Sequence, residues 1–409
     1  MKLKLLSIFK QEEKEALPVQ FWTVWFSGTV TNLGDGVVGI TLPLVATLVT
    51  RDPLLIAFIE IARFVSIPLF SLFIGLWLDR YSRRWAKVVA DSFRIFLMTA
   101  LLISLFSSSV NMIFLYTVSF LLGIAELTAD SAFSILVKQT VDKNKLEQAY
   151  SRVYTGTIIS DSFLGPPLGA WLFSLATVVP FIFHTLALAV SAVLITCLPG
   201  LYQVKNSQIN SGTLTDIREG LHFLWSSSTL RTLSLATGAI SLANRAFFAI
   251  FVLYALELLS SSELTYGILS MAFGIGGFVG SVSATRLIRI LNRSSVLKLC
   301  ILTLTAAYGV LYLVPRVMIT WLALFATGFA IIVWGVIGTS IRQRLVPDQL
   351  LGRVGGSHRL LSSGLSPLGS LLGGVLARQF NLTTPLLFTL FILCITGVFV
   401  QVFLKLNKN

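Results

Sequence analysis

Charge is scarce in this 409-residue chain. Asp, Glu, Lys and Arg make up only 12% of it, about half of what a soluble domain carries. That argues against a molecule whose whole surface faces water. Cysteine and histidine are nearly missing, at three each. Cys197, Cys300 and Cys394 lie far apart, in or at the edges of apolar runs. They form no disulfide framework and no metal-ligand spacing, and read as small core residues. No Ser-His, Cys-His or His-rich metal set stands at a useful spacing, which leaves no basis for an enzyme, a metal or a cofactor. No G-x-x-x-x-G-K-[ST] string occurs, so the chain is not expected to hydrolyse ATP. Carboxylates are the scarcer sign, 18 against 31 Lys and Arg, for a net charge of +13.

What is abundant is apolar. Hydrophobic residues reach 55%, with 30 Phe and 30 Gly, and the mean hydropathy is +0.84. A membrane-crossing helix takes about 20 apolar residues. Twelve such runs can be counted, at about 20–49, 53–78, 86–108, 111–137, 149–175, 178–200, 229–259, 264–287, 295–314, 317–340, 353–378 and 383–404. They are called spans 1 to 12 below. The sequence therefore predicts an all-α polytopic membrane protein.

The positive charge sits in the even-numbered gaps. Arg80, Arg83, Arg84 and Lys87 follow span 2, and Lys138, Lys143, Lys145 and Arg152 follow span 4. Arg286, Arg289, Arg293 and Lys298 follow span 8, and Arg342, Arg344, Arg353 and Arg359 follow span 10. The odd gaps hold few positives, such as Arg51, Arg316 and Arg378. By the positive-inside rule both termini are expected in the cytosol. The excess charge is then topology information, with anionic membrane lipids as partner and no role in binding nucleic acid. The opening segment, "MKLKLLSIFKQEEKEALP", has too short an apolar stretch for a signal peptide and reads as a cytosolic lead-in on the membrane surface.

The chain divides in three: a six-helix bundle over 1–200, a cytosolic linker over 201–228 and a second six-helix bundle over 229–409. The linker starts polar and then runs "TLTDIREGLHFLW". Thr213 and Asp216 form a helix-start signal. Ile217, Leu221, Leu224 and Trp225 share one apolar face, which predicts a helix lying on the membrane. The halves also match each other weakly at a shift of about 205 residues. Gln139 falls on Gln343, Leu146 on Leu350, Gly165 on Gly369 and Gly169 on Gly373. Two pseudo-symmetric halves with a substrate path between them are a transporter architecture.

The gap after span 2 reads "GLWLDRYSRR". Gly75, Asp79, Arg80, Arg83 and Arg84 resemble the G-x-L-x-D-R-x-G-R-R motif of the major facilitator superfamily, departing from it at Trp77 and Ser82. In span 5, Gly165, Pro166 and Gly169 of "GPPLGAWL" resemble the core of that superfamily's antiporter motif, whose upstream glycines are replaced here, one of them by Asp161. "NLGDG", "TRDPL", "LLGIAEL" and "GPPLGAWLF" are similar to the macrolide-efflux branch, the third drug:proton antiporter family, which includes siderophore exporters. The resemblance implies a monomeric, proton-driven exporter of amphipathic small molecules in the plasma (bacterial inner) membrane, working by alternating access. Lysophospholipid carriers share the fold and are the alternative. It also implies that Asp79 holds the cytosolic side shut against the start of span 11, near Arg353 to His358, where a helix N-terminus favours a carboxylate. Spans 1, 4, 7 and 10 would line the cavity.

Ionisable residues inside spans are costly and normally face a partner or a cavity. At about 1.5 Å per residue, Asp35 lies roughly 22 Å, Glu126 roughly 17 Å and Arg245 roughly 24 Å from the cytosolic ends of spans 1, 4 and 7. Arg63 lies roughly 15 Å from the outer end of span 2. Asp35 and Glu126 are the candidates for proton coupling, because a carboxylate in a dry cavity can load and release a proton near neutral pH. Asp35, Glu126, Asn244, Arg245, Phe248 and Trp334 are the candidates for the substrate cavity, with Trp22, Trp25, Phe26 and Phe247 as further aromatic walls. Glu60 and Arg63 stand three apart on one helical face, as do Asp91 and Arg94, and are expected to pair. Arg94 and Asp130 fall at similar depth, so these five residues form an expected charge network with Asp79 as a further partner. Asp161 either faces the interface between the halves or hydrogen-bonds locally. His184 reads as a core residue, and His222 and His358 as solvated.

Overall fold

The helix starts are written in single polar residues. Asp52 precedes Pro53, and its Oδ1 accepts from the backbone N–H of Leu54 at 2.9 Å and of Leu55 at 3.4 Å. A carboxylate N-cap followed by proline is a strong start signal, because the cap satisfies orphan N–H groups that proline does not add to. Asn111 caps span 4 through Phe114 N–H at 3.0 Å. Ser227 and Ser262 do the same for spans 7 and 8. The structure, a computed structural model, describes residues 17–199, 213–347 and 350–403. Within these, the side chains of Leu72, Leu76, Asp79, Arg80, Lys143 and residues 213–217 and 351–352 lie outside the described part.

Every described element is helical. Span 1 is Val19–Val49, span 2 Pro53–Arg80, span 3 Arg83–Phe106, span 4 Met112–Thr140 and span 6 Val179–Thr196. Span 10 is Val317–Leu345 and span 12 Thr384–Phe403, while span 11 runs as Leu351–Ser363 and Ser366–Gln379. Among the described residues, nine helices are long and apolar enough to cross a membrane, or ten when the bent pair Ser228–Phe248 and Phe251–Leu258 is taken as span 7. Two local features reconcile this with twelve. The 51-residue helix Glu263–Leu313 breaks at Asn292, whose φ of 59° and ψ of 161° turn the chain between spans 8 and 9. Asn tolerates positive φ, and the Asn292 side chain accepts from Ser295 N–H at 3.0 Å, capping span 9. Span 5 is shortened to the helices Leu146–Thr157 and Gly165–Leu175 by a π-helical stretch, Ile158–Leu164.

That stretch has a chemical cause. Pro166 and Pro167 bring no N–H, so the carbonyls of Ser162 and Phe163 lose their usual donors four residues on. The Gly165 N–H reaches five back, to the Ser160 carbonyl.

The internal repeat appears as repeated packing. Gly165 lies so close to span 1 that a Cβ there would stand 2.7 Å from Gly36 Cα, and one on Gly169 would stand 2.8 Å from the Val37 carbonyl. In the second half, Gly369 and Gly373 press in the same way on the Leu242 and Ala246 carbonyls of span 7. Span 5 thus docks on span 1 as span 11 docks on span 7. Small residues are what let membrane helices approach this closely. The two halves meet where span 2 packs on span 11 and span 5 on span 8. Large apolar side chains such as Phe96, Phe391 and Val398 point outward, more than 60% exposed, which suits a surface solvated by lipid rather than water.

The linker helix is Thr213–Ser226. Its buried face is Gly220 and Leu224, set against Arg353, Ser357 and Val354 at the start of span 11. Glu219 pairs with Arg353. Trp225, expected on the apolar face, is 48% exposed. The helix therefore docks on protein over part of the face expected to meet lipid. The polar segment 201–212, the lead-in 1–16 and the Thr213–Asp216 start signal fall outside the described residues or side chains.

Candidate functional site

Span 2 and span 4 touch backbone to side chain at Gly123, which packs on the Arg63 carbonyl. One turn further along span 4 stands Glu126. The approach brings Arg63 Nε within 3.0 Å of Glu126 Oε2, and Nη2 within 2.9 Å of Oε1 and 2.8 Å of Oε2. The expected Glu60–Arg63 pairing does not form. A guanidinium fork fits both oxygens of a carboxylate facing it from another helix better than a side chain three residues away on its own helix. Glu60 faces the other half instead. Its Oε2 lies 3.5 Å from Arg245 Nη1 of span 7 and accepts from the Ser370 hydroxyl of span 11 at 3.4 Å. The Arg245 guanidinium stacks 4.0 Å over the Phe64 ring, a placement that stabilises the cation through the ring's π face.

Asp35 lies behind this layer, 7% exposed. Arg94 of span 3 donates to it. His184 of span 6 sits beside the pair, with Nε2 3.5 Å from Arg94 Nη2 and 3.8 Å from Asp35 Oδ1. The flanking glycines have separate tasks. A Cβ on Gly34 would stand 2.7 Å from His184 Nδ1, and Gly36 packs on the Asp161 carbonyl. The network continues inward. Arg94 is 3.8 Å from Asp91, and Asp91 Oδ2 accepts from Lys87 Nζ at 3.0 Å and from Ser191 Oγ at 2.7 Å. Lys87 and Asp91 are essentially fully buried. Asp130, expected to join, is exposed and enters no ion pair among the described residues.

Asp35, Glu60, Arg63, Glu126 and Arg245 meet in a cavity of about 390 Å³ lined by both halves. Its charged walls are Asp35, Glu60, Arg63, Glu126, Asp161 and Arg245, and its aromatic walls are Phe64, Phe248, Phe251, Tyr266 and Phe273. The lining comes from spans 1, 4 and 7, as expected, together with spans 2, 5 and 8, and no described residue of span 10 joins it. The reason is that spans 2, 5 and 8 converge at the contact between the halves and contribute their inner faces. Two expected wall residues are turned away. Trp334 is 3% exposed and donates to Thr237 Oγ1 at 2.9 Å. Asn244 accepts from the Tyr308 hydroxyl at 2.6 Å. Phe247 is fully buried in a ring cluster with Phe248, Phe251, Tyr254 and Tyr308. Trp22 and Phe26 are exposed, and Trp25 donates to the Arg152 carbonyl at 3.0 Å. The missed residues Phe64, Tyr266 and Phe273 adjoin no sequence motif; only Phe64, next to Arg63, carried a positional hint.

Of the motif after span 2, Gly75 faces open space and Arg83 is buried. Arg84 donates to the Ile195 carbonyl at 3.1 Å and to the Thr196 carbonyl, satisfying the C-terminus of span 6. The side chains of Asp79 and Arg80, the proposed lock, lie outside the described part.

On the far side of the molecule, opposite the chain's first described residue, charge pairs bridge the halves. Asp52 Oδ2 lies 3.2 Å from Arg378 Nε, and Arg51 Nη1 lies 3.8 Å from Glu257 Oε1.

A family model described as MFS_3, transmembrane secretion effector, matches residues 18–409. The chain belongs to this family of major facilitator transporters. It is 23% identical over 398 residues to the multidrug efflux pump Tap of Mycolicibacterium fortuitum, covering 93% of this chain and 94% of that one. Among solved structures, the nucleoside transporter NupG (D323A mutant) superposes with a TM-score of 0.77 at 12% identity, covering 94% of this chain and 100% of that one. A bacterial homologue of the iron transporter ferroportin, in its inward-facing state, gives 0.76 at 15% identity over 96% of this chain and 100% of that one. The fold is the major facilitator fold, and the protein is a membrane transporter rather than an enzyme.

Proposed function

We propose that this transporter exports amphipathic organic molecules in exchange for protons, from a bacterial inner membrane with both chain termini in the cytosol, as a monomer. One observation carries the reading: a cavity at the contact between the halves that combines aromatic walls with ionisable groups. Its volume of about 390 Å³ lies in the range that holds drug-sized ligands, about 300–1,000 Å³. The rings give apolar area, and the carboxylates supply groups that a proton gradient can act on. The likeness to a multidrug efflux pump supports the substrate class. Asp35, Glu126 and Asp161 are the cavity carboxylates proposed for coupling, with Arg245 and Phe248 proposed for substrate contact.

The test is accumulation of a fluorescent amphipath in cells that express the protein. Expression is expected to lower accumulation several-fold, and a proton uncoupler is expected to restore it. Export that ignores the uncoupler removes the proton from the reading. Transport of lysophospholipid alone, with no effect on soluble amphipaths, identifies a lipid carrier instead.

A further inference from the structure

Three of the four cavity carboxylates come with an arginine. Glu126 is gripped by Arg63 through both oxygens, Asp35 by Arg94 and Glu60 by Arg245. For any of these to take a proton or a substrate cation, an ion pair must first break. Asp161 is the remainder. Its described partner is the neighbouring Ser162 hydroxyl, which donates to Oδ2 at 3.2 Å, and among the described residues it enters no ion pair. The cavity wall therefore holds one carboxylate that no arginine pairs with among the described residues.

The position of Asp161 is also unlike that of the others. It sits inside the π-helical stretch of span 5, and such widened turns recur at functional sites. The same stretch touches both halves. Gly36 of span 1 packs on the Asp161 carbonyl, and Gly274 of span 8 packs on the Ser162 carbonyl. The first contact lies within one half and the second lies between halves. Opening and closing the cavity must change the second, so the surroundings of Asp161 alter with each half-cycle. Asp35 from span 1, Arg63 from span 2 and Glu126 from span 4 line the same cavity. Glu60 and Arg245 share the cavity, as does Tyr266 of span 8, whose phenol is the one titratable group there from the opposite half besides Arg245.

We infer that Asp161 is the exchange carboxylate of this transporter, binding a proton in one half of the cycle and the cationic headgroup of a monocationic amphipath in the other. The inference rests on the exporter reading above and names its substrate class. With the cavity facing the cytosol, the cation binds at the Asp161 carboxylate and the proton leaves to cytosolic water. With the cavity facing outward, the cation leaves and a proton from the outer side takes its place. One positive charge crosses in each direction, so the exchange is electroneutral and runs on the pH gradient alone. The rings of Phe64, Phe248, Phe251, Tyr266 and Phe273 hold the apolar body.

Purified protein and tetraphenylphosphonium test this. In weakly buffered detergent solution, binding by the wild type is expected to release about one proton per cation, because the carboxylate gives up its proton as the opposite charge of the cation arrives beside it. In proteoliposomes, a pH gradient is expected to drive uptake or release of the cation, and a valinomycin-set potential without one is expected to do nothing. Asp161→Asn is expected to lose proton release and at least tenfold of transport, while Asp161→Glu keeps the release. Should Asp161→Asn not yield monodisperse protein, carbodiimide labelling of the wild type decides: modification at Asp161, blocked by tetraphenylphosphonium, supports the inference. Labelling at Glu126 or Asp35 instead overturns it, as does an Asp161→Asn variant that still releases protons and transports within twofold of wild type. A wild type that moves no amphipath under a pH gradient defeats the exporter reading itself, whereas an active wild type with an unaffected Asp161→Asn defeats only this assignment.

Discussion

Gly36 and Gly39 stand one turn apart on the same helix, and their surroundings give opposite forecasts. A Cβ on Gly36 would run into the Asp161 carbonyl, whereas one on Gly39 would meet only Arg63 Nη1, at 3.9 Å. Gly36→Ala is expected to destabilise the protein by about 1–3 kcal/mol, the usual cost of overpacking against backbone that cannot retreat. Gly39→Ala is expected to be neutral or slightly stabilising, since Ala is favoured over Gly in a helix by about 1 kcal/mol. Thermal unfolding of the two variants in detergent separates the outcomes. At this scale the sequence showed which residues are costly but not whom they meet. Asp35 stood out as a mid-span carboxylate between glycines. Its link to Arg94, 59 positions away, depends on how spans 1 and 3 rotate, and no spacing encodes that. The same limit misdirected Arg63 toward Glu60, three residues away, when its partner Glu126 lies 63 positions off.

Elements were legible in their existence and hidden in their breaks. Apolar length placed the helices to within about five positions, because a helix in lipid must satisfy its own backbone and can do so locally. The joint between spans 8 and 9 was less visible: a single residue, Asn292, makes it. Asn292→Val is expected to cost about 1–3 kcal/mol, because a β-branched residue is strained at positive φ. Asn292→Gly is expected to keep the turn while losing the cap on Ser295. The check is thermal unfolding with trypsin cleavage after Arg293: faster cleavage in the Val variant than in the Gly variant is the expected order. The π-helical stretch of span 5 did have a signal, the two adjacent prolines. Proline marks where a ladder fails but does not say how the chain repairs it.

The whole molecule works through contacts between its halves. Arg51–Glu257 and Asp52–Arg378 bridge the halves on the far side, with Arg51 57% and Arg378 55% exposed in their side chains. Exposed pairs contribute about 0.2–1 kcal/mol each, so removing one is expected to shift the balance between closed and open forms by no more than about fivefold. Asp52→Asn tests this cleanly, because Asn caps a helix as well as Asp does and only the charge is lost. Spin labels on spans 2 and 11 near the far side are expected to show a larger open fraction for Asp52→Asn, and larger again with Arg51→Ala. Unchanged distances would mean that span packing, not charge, holds that side shut.

Matches at a shift of about 205 residues pointed to an internal repeat. Composition and apolar run length determined that this is a helical membrane protein, and the placement of basic residues set its expected orientation. Each of those properties follows from what a segment does alone in lipid, or from which side of a bilayer its flanks prefer. The short motifs then identified the family. Tertiary structure alone decided the pairing of Arg63 with Glu126, Arg94 with Asp35 and Arg245 with Glu60, and so left Asp161 as the cavity carboxylate without a cation. The reason is physical. A helix has many faces of nearly equal hydropathy in a chain this apolar, and the rotation that selects one is set by glycine contacts, such as Gly36 on Asp161 and Gly123 on Arg63, that exist only once two spans have met.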